Sequence, residues 1–434
     1  MPLSTQPYKG ARDFYPEDKR FQKYLFNIMR KAVEGYGYEE YDAPLLEPLD
    51  LYRAKSGEEI VSEQTYAFID RGDREVAIRP EMTPTVSRMV AAKRQELPYP
   101  LRWYSIPNLW RYERPQRGRL REHWQLNVDL FGVASVEADS EIIHVADSIM
   151  QAFGAKRHMY AISISSRTLI DSVMRDYLQL NEVQAQMMMK LIDRMQKMPR
   201  AEFAAQAEAI FSPSQRETDL PAKFLEILAV KDLNELPEGI YQHPAVTELK
   251  QLMTSLHKSG VTNAVFDMSV MRGFDYYTGI VFEIADTDPE NNRSLFGGGR
   301  YDGLVGLFGV DPVPTVGFGV GDVTLANFLR THNLMPRLRP EADVYVVLAG
   351  DVLNDARKPI HELREMGLNV AVDLSGRKLG DQIKTAVKKG VRFALILGEK
   401  ELADGQYTLR NLENGAEERH GPQRIVSIVK DHRK

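Results

Sequence analysis

The segment His123–Leu130, HWQLNVDL, alternates strictly between polar and apolar side chains. The apolar members are Trp124, Leu126, Val128 and Leu130, and the polar members are His123, Gln125, Asn127 and Asp129. A period of two predicts a β-strand with one buried face, and it places Gln125 and Asp129 on the same face of the sheet. A strand earlier in residues 101–132 completes a predicted hairpin, whose loop is RPQRGR.

Positive charge concentrates in this hairpin. The stretch from Arg102 to Arg121 holds six arginines, at positions 102, 111, 114, 117, 119 and 121, and one acidic residue, Glu113. The whole chain has a net charge of −5, which argues against a polyanion-binding surface over its full extent. A local basic strip can still bind nucleic acid, whereas the alternative is a solvated, arginine-rich loop.

Size and composition set broad limits on the class of protein. A chain of 434 residues predicts about three domains, and 43% hydrophobic residues suffice for a large core. The absence of cysteine excludes disulfides, Cys-ligated zinc and a thiol nucleophile, and it agrees with a cytoplasmic location. We find no apolar run long enough to span a membrane and no apolar stretch of a signal peptide, so no membrane association is expected.

Hydrophobic periodicity predicts an α+β chain. Residues 18–36 follow a helical pattern that ends near glycine, and Pro44 and Pro48 favour a short strand within residues 38–52. Residues 170–258 read as helical, and residues 263–330 return to strands and glycines.

The C-terminal part has a different pattern. Pro336 and Pro340 indicate a linker. Apolar strands at 344–350, 369–374 and 392–398 alternate with helical segments. This order predicts a small α/β domain with a largely parallel sheet.

The common nucleotide-binding motifs are missing. The glycine-rich stretch GFGVG at 317–321 does not have the GxGxxG spacing, and no GK[ST] sequence occurs, so there is no P-loop. If the protein uses ATP, arginine is the natural phosphate ligand, because its guanidinium pairs with phosphate in a fixed geometry and stays charged.

Four segments combine residues that could carry chemistry: Arg79–Thr83 (RPEMT), the hairpin from Arg111 to Asp129, Arg272–Tyr277 (RGFDYY) and Gly297–Arg300 (GGGR). The glycines would let a ligand approach the backbone closely. Each segment also has a purely structural interpretation. RPEMT could be a turn that opens the next helix, the tyrosines could be core aromatics, GGGR could be a tight bend, and the hairpin could be structural.

These segments resemble a known family. LWRYERPQRGRLREHWQLNVDLFG at 109–132 resembles motif 2 of class II aminoacyl-tRNA synthetases in its histidyl form. RGFDYYTGIVFE at 272–283 and GGGRYDGLV at 297–305 resemble the two signature segments of histidyl-tRNA synthetases. KGARDFYPED at 9–18 and AIRPEMTPTVSR at 77–88 also fit, so the resemblance spans nearly the whole chain.

The resemblance implies a fold and its domains. A class II catalytic domain, an antiparallel sheet flanked by helices, would occupy residues 1–170 and 259–331. A helical insertion at 171–258 would approach the acceptor stem of tRNA. A linker at 332–342 would lead to an α/β anticodon-binding domain at 343–434. Motif 1, within residues 38–52, would form the interface of a symmetric homodimer.

The resemblance also implies an activity. The family activates histidine with ATP to give histidyl-adenylate and pyrophosphate, and then transfers histidine to the 3′ end of tRNA-His. Mg²⁺ on the β- and γ-phosphates is implied as well, although no side chain is assigned as a metal ligand.

Site residues carry over position by position. Glu81, Thr83 and Gln125 would hold the α-amino group of histidine, whose three donors need acceptors. Asp129 would join this pocket, and Tyr277 with Tyr276 beside it would contact the imidazole.

The same resemblance assigns the phosphate and tRNA contacts. Arg111 and Arg272 would bind the α-phosphate of ATP as catalytic cations, where they stabilise the charge of the transition state. Arg114 and Gln116 would meet the acceptor end of the tRNA.

One segment departs from the family pattern. Motif 3 of many class II enzymes carries an arginine in a G-x-E-R sequence, but here GFGVGDVTL has Val323 and Thr324 at those positions. This difference predicts that another cation covers the triphosphate tail or that ATP binds more weakly.

Two alternative functions stay open at this stage. One is a non-catalytic regulatory subunit of ATP phosphoribosyltransferase, a paralogue that lacks the C-terminal domain. The other is a histidine- or RNA-binding module that senses uncharged tRNA, which would need an effector domain that the sequence does not reveal.

Overall fold

The computed structural model describes residues 3–53, 63–116, 118–195, 198–271, 276–291 and 294–433. Arg117 and the predicted catalytic Arg272 lie outside these ranges. The chain divides into two compact units. The first consists of Met1–Asp13 and Gln22–Met335, and the second of Phe14–Phe21 and Pro336–Lys434.

The helices and strands are numbered in chain order. Helices α1 to α16 are Pro16–Glu34, Asp50–Arg53, Thr83–Ala92, Val136–Ala152, Arg167–Ser172, Glu182–Asp193, Arg200–Ile210, Pro213–Glu217, Leu220–Ala229, Glu238–Tyr241, Pro244–Lys258, Asp322–Thr331, Leu353–Glu365, Leu379–Lys388, Glu399–Asp404 and Pro422–Asp431. Strands β1 to β17 are Glu39–Glu40, Leu46–Pro48, Tyr66–Ile69, Glu75–Ile78, Leu101–Ser105, Asn108–Trp110, Glu122–Phe131, Tyr160–Ser166, Ala264–Phe266, Ile280–Asp286, Ser294–Arg300, Thr315–Gly321, Val344–Ala349, Val370–Val372, Phe393–Gly398, Tyr407–Asn411 and Glu417–His420.

A large sheet forms the centre of the first unit. Its strand order is β1-β5-β7-β12-β11-β10-β8-β9, and β6 pairs with β7. The pairings between β5 and β8 along this order are antiparallel, whereas β1 and β9 join the two edges in parallel. Helices α4, α11 and α12 pack beside these strands. The predicted antiparallel sheet flanked by helices is therefore confirmed.

The predicted hairpin is present, but its burial differs from the prediction. β5 and β6 both pair antiparallel with β7, with Trp103 opposite Asp129 and Leu109 opposite His123. The prediction of a single buried face is wrong for the second half of β7, because residues 126–131 are all buried. Asn127 and Asp129 are only 6% and 3% exposed. The polar face of the strand therefore points into the protein.

The GGGR segment is a strand and not a tight bend. Gly297–Arg300 belongs to β11, between β10 and β12. A methyl group at Gly298 would overlap the carbonyl oxygen of Gly317 on β12, so the absence of a side chain is needed for close approach of the backbones. The bend interpretation is thus wrong, for a reason that depends on the neighbouring strand.

Arg300 at the end of β11 anchors the sheet to α4. Its Nε donates to both carboxylate oxygens of Asp139 at 3.2 Å, and its guanidinium also donates to the carbonyls of Val133 and Ser135. Both partners of the ion pair are buried. Since a buried charge is stable only when it is paired and hydrogen-bonded, this arginine has a structural role.

The region 38–52 contains several short elements, whereas the prolines suggested one short strand. It contains β1, β2 and the one-turn helix α2. β2 joins β4 and β3 in a separate small sheet. Pro48 ends β2, at the edge of that sheet, where a missing N–H does not break a ladder.

The second unit has the predicted alternation of strands and helices, and it also contains an additional β-hairpin. β14, β13 and β15 are parallel, and apolar residues cover both faces of these strands, with Val346 buried on one face and Val347 on the other. β16 and β17 extend the sheet as an antiparallel hairpin that the sequence pattern did not predict. Among the described residues, no helix is both long and apolar enough to cross a membrane.

Candidate active site

A pocket opens over the middle of the large sheet. It encloses about 390 Å³ of empty space, including its open mouth. Its walls come from α3, β7, β11, β12 and the segments beside them. The lining residues are Glu81, Thr83, Arg111, Gln125, Asn127, Asp129, Tyr277, Gly297, Tyr301, Gly317, Phe318 and Gly319. Most of the residues proposed from the sequence therefore come together here.

The polar face of β7 provides one wall. Gln125, Asn127 and Asp129 line the pocket together because alternate residues of a strand share a face. Asn127 donates from Nδ2 to the carbonyl of Gln125 at 3.1 Å, which fixes its amide. The sequence analysis did not propose Asn127, although the same alternation places it between the two residues that were proposed.

Glycines on β12 make room for these polar side chains. Gly317 pairs with Asp129 and Gly319 with Asn127 in the antiparallel register. A methyl group at Gly317 would overlap Asp129 Oδ1, and one at Gly319 would overlap Gln125 Nε2. GFGVG is thus a strand that accommodates the side chains of β7, and not a phosphate-binding loop.

The substitution Gly319→Ala tests this wall. The added methyl group would displace the Gln125 amide, whose side chain is flexible enough to move without unfolding the sheet. Because the family resemblance implies that Gln125 holds the α-amino group of histidine, we expect the KM for histidine to rise by about tenfold, as for the loss of one hydrogen bond to a charged group, with the KM for ATP unchanged. The measurement is steady-state kinetics at varied histidine. Gly303→Ala is the control, since its methyl group would meet nothing within 4 Å; equal effects of both variants would contradict the prediction.

Asp129 is a deeply buried acid of the pocket, only 3% exposed. Its carboxylate accepts a hydrogen bond from the Tyr301 hydroxyl, while Oδ2 has no hydrogen-bond partner among the described residues. Burial raises the pKa of Asp129 to about 7, and the Tyr301 hydrogen bond limits the rise. Asp129 therefore offers an acceptor to a ligand that donates a hydrogen bond. Tyr301 was not proposed from the sequence, although it lies in the GGGRYDG segment.

Glu81 and Thr83 form the opposite wall. Thr83 is the first residue of α3, so the RPEMT segment opens a helix, as its structural interpretation predicted. The same segment also lines the pocket through Glu81 and Thr83. The Tyr276 hydroxyl donates to Glu81 Oε2 at 3.3 Å. Burial, followed by the charge of Glu81, raises the pKa of Tyr276 well above its usual value, so the phenol stays protonated and donates.

The two tyrosines of RGFDYY pack against each other, but only Tyr277 lines the pocket. Their ring centroids are 5.0 Å apart, and Tyr276 also packs against Tyr301 at 5.6 Å. Both are buried in one hydrophobic cluster, so they are core aromatics as the structural interpretation held. Tyr277 lines the pocket as well, whereas Tyr276 lies behind Glu81 and positions its carboxylate.

Arg111 supplies positive charge to the pocket. It follows β6, and its Nε donates to the carbonyl of Pro80 at 2.8 Å, which ties the hairpin to the RPEMT segment. Arg114 and Gln116 are exposed and do not line the pocket. They belong to the hairpin loop, which turns tightly where Gly118 adopts a φ of +82°.

His123 lies beside Arg111 on the polar face of β7. Burial, followed by the positive charges of Arg111 and Arg12, lowers the pKa of His123 to about 3. The imidazole is therefore neutral at physiological pH and adds no positive charge to that of the two guanidinium groups.

The described residues contain no group of three or more His, Asp or Glu side chains that could hold a metal ion. Mg²⁺ is usually bound by substrate phosphates, water and one or two carboxylates, so the Mg²⁺ that the resemblance implies does not require such a group.

An antiparallel sheet with this pocket, joined to a C-terminal α/β unit, is the architecture of a class II aminoacyl-tRNA synthetase. The crystal structure of histidyl-tRNA synthetase from Nostoc sp. PCC 7120 superimposes with a TM-score of 0.84 over 99% of this chain and 100% of that one, at 24% identity. At this identity the likeness concerns the fold.

Sequence comparisons identify the family. A family model described as histidyl-tRNA synthetase matches residues 10–323, and one described as an anticodon binding domain matches residues 343–432. The histidine–tRNA ligase of Leptospira biflexa is 48% identical over 94% of both chains, and that of Thermoplasma volcanium is 36% identical over 96% of both. The chain belongs to the histidyl-tRNA synthetase family.

Proposed function

We propose that the protein is an ATP-dependent histidine–tRNA ligase. The observation that carries this proposal is one pocket that is lined by both acceptor groups and a guanidinium. Asp129 and Glu81 suit the donors of an amino acid, and Arg111 suits a phosphate. The match of residues 343–432 to an anticodon binding domain adds the part that a tRNA ligase requires.

Histidine would lie across the sheet between two acidic groups. Glu81, Thr83 and Gln125 accept hydrogen bonds from its ammonium group. Asp129 accepts the N–H of the imidazole, which supplies the donor that Oδ2 requires in a buried site. Tyr277 packs beside the ring.

The activation step needs no side-chain nucleophile. The carboxylate oxygen of histidine attacks the α-phosphorus of ATP, the bond from that phosphorus to the bridging oxygen breaks, and pyrophosphate leaves with the electron pair. Arg111 holds the α-phosphate and stabilises the negative charge that grows on its oxygens. We assign the same task to Arg272 on the basis of its signature segment.

The second step transfers the histidyl group to the terminal ribose hydroxyl of the tRNA, and AMP leaves. The exposed Arg114 and Gln116 would contact the acceptor end. Mg²⁺ would enter on the β- and γ-phosphates and neutralise their charge.

The catalytic domain would comprise residues 1–170 and 259–331, with the insertion 171–258 near the acceptor stem. A linker at 332–342 would lead to the anticodon-binding domain at 343–434. The cytoplasm is the proposed compartment, since both ATP and tRNA are available there.

Histidine-dependent exchange of pyrophosphate into ATP tests the function. We expect exchange with histidine and none with other amino acids. Charging of tRNA-His with labelled histidine tests the second step. No exchange with histidine would refute the ligase and would favour the alternative of a regulatory subunit.

We further propose that the protein acts as a homodimer through its small sheet. Four large apolar residues at or beside β2 and β3 are between 44% and 67% exposed, namely Leu45, Leu46, Phe68 and Ile69. Exposed apolar side chains grouped on one small sheet favour contact with another protein. A second copy of this chain fits, because a twofold axis matches like surfaces with each other.

The substitution Leu46→Asp tests the dimer. A carboxylate in the centre of an apolar interface would have to lose its hydration, so we expect the mass in solution to fall from two chains to one. Light scattering coupled to size-exclusion chromatography measures it. Val265→Asp is the matched control, because Val265 is also on an edge strand and is similarly exposed, at 44%. A monomeric wild-type protein would refute this proposal.

A further inference from the structure

The segment before α1 runs beside the start of β7. The carbonyl oxygen of Gly10 accepts the backbone N–H groups of Arg121 and Glu122, at 2.9 and 3.2 Å. The backbone N–H of Arg12 lies 3.5 Å from Glu122 Oε2. These contacts fix Arg12 next to the hairpin that carries Arg111.

Arg12 reaches from this segment to the end of β12. Its Nη2 donates to Asp322 Oδ2 at 2.7 Å, and Asp322 Oδ1 accepts the backbone N–H of Trp124 at 3.0 Å. The Asp322 side chain is 4% exposed, whereas that of Arg12 is 29% exposed. The buried carboxylate thus holds a guanidinium that solvent, and therefore a ligand, can reach.

Arg12 is also close to the pocket. His123, which precedes Trp124, feels the positive charge of both Arg111 and Arg12, and it shares a strand face with the pocket residue Gln125. Arg12 and the pocket residue Arg111 therefore both lie near this neutral imidazole. Such a pair of cations attracts a ligand with several negative charges.

Position 324, where the family resemblance leads one to expect a cation, has no charge. The Thr324 hydroxyl donates to the carbonyl of Gly321 at 3.1 Å. The hairpin loop lies over it, since a methyl group at Gly118 would be 3.7 Å from Thr324 Cγ2. The loop therefore leaves little room for a longer side chain on this part of α12, while Arg12 pairs with Asp322 at the start of the same helix.

We propose that Arg12 is a second cation of the nucleotide subsite, which holds the β- and γ-phosphates of ATP while Arg111 holds the α-phosphate. The inference rests on the proposed function for the identity of the nucleotide. Asp322 positions the guanidinium, and phosphate oxygens are additional acceptors for it, as an arginine can donate several hydrogen bonds at once.

The test compares ATP with AMP, because only ATP has the phosphates that Arg12 is proposed to bind. Arg12→Gln keeps a hydrogen-bond donor for Asp322 and removes the charge, and Arg12→Lys keeps a charge. Calorimetric titration of each purified variant with ATP and with AMP gives the two dissociation constants. We expect Arg12→Gln to weaken ATP binding by about tenfold and to leave AMP binding unchanged, and we expect Arg12→Lys to retain most of the ATP affinity.

A matched control separates this effect from loss of an ion pair. Arg157 is 35% exposed and pairs at 2.9 Å with Asp147, which is 3% exposed, so Arg157→Gln removes a similar pair away from the pocket. It should bind ATP and AMP normally. Equal weakening of ATP and AMP in Arg12→Gln, or no weakening of either, would overturn the proposal. Absence of histidine-dependent exchange in the wild type would refute the ligase activity instead, and the ATP and AMP affinities would still report on Arg12.

Discussion

Replacing Arg111 by alanine should reduce histidine-dependent pyrophosphate exchange by about a thousandfold, because one fixed donor to a developing oxyanion contributes about a hundredfold to a thousandfold in rate. Arg111 lines the pocket, and its Nε bond to the Pro80 carbonyl holds the guanidinium in place before ATP arrives. The preorganised charge acts on the transition state without a cost of reorganisation at that moment.

The kcat of exchange should carry most of this loss, whereas the affinity for histidine should change little. Arg111→Lys should recover only part of the rate, since an ammonium cannot reproduce the planar fork of the guanidinium. Arg102→Ala is a suitable control, because Arg102 lies on β5 of the same sheet and pairs with Glu141 at 2.8 Å. Exchange at the wild-type rate in Arg111→Ala would show that our assignment of the α-phosphate ligand is wrong.

Replacing Asp129 by asparagine should weaken histidine binding by about a hundredfold, as for the loss of a hydrogen bond to a charged group in a buried site. The asparagine keeps an acceptor for the Tyr301 hydroxyl, but its amide can present a donor where Asp129 presents Oδ2. Calorimetry with histidine measures the effect. Unchanged histidine affinity would remove Asp129 from the binding site.

The same substitution should stabilise the empty protein at alkaline pH. Burial raises the pKa of Asp129 from 3.8 to about 7, so the folded state favours the protonated acid. The stability that the protonated acid provides is fully present below the unfolded pKa and is lost as pH rises through 7. Asparagine has no such dependence. The free energy of unfolding of Asp129→Asn relative to wild type should therefore rise by about 2 kcal/mol between about pH 5.5 and pH 8.

Thermal melting without histidine at the two pH values measures this difference. Asp147→Asn provides the contrast, since Asp147 is also buried and accepts a tyrosine hydroxyl, from Tyr160, but is paired with Arg157. Loss of its charge should destabilise the protein and leave histidine binding intact. A melting temperature of Asp129→Asn that falls relative to wild type as pH rises would contradict the assigned direction of the pKa shift.

Local patterns in the sequence predicted much of the fold. The alternation of residues 123–130 located β7, and the helical periodicity near the N-terminus predicted α1. Glu81, Gln125 and Asp129 could be proposed from the sequence because they lie in segments with recognisable patterns. The structure brings these residues together in one pocket. The hairpin of β16 and β17 was missed, since both strands are short and β17, at the edge of the sheet, is polar and mostly exposed.

The sequence by itself determined where strand β7 lies, which of its residues share a face, and the family to which the chain belongs. Only the tertiary structure decided that the polar face is buried, that glycines of β12 make room for it, and that Tyr301 and Arg12 reach their carboxylate partners. These contacts join residues 172 and 310 positions apart. Sequence periodicity indicates which face of its own strand or helix a residue occupies. The partner of a buried charge depends instead on which distant strands pack together.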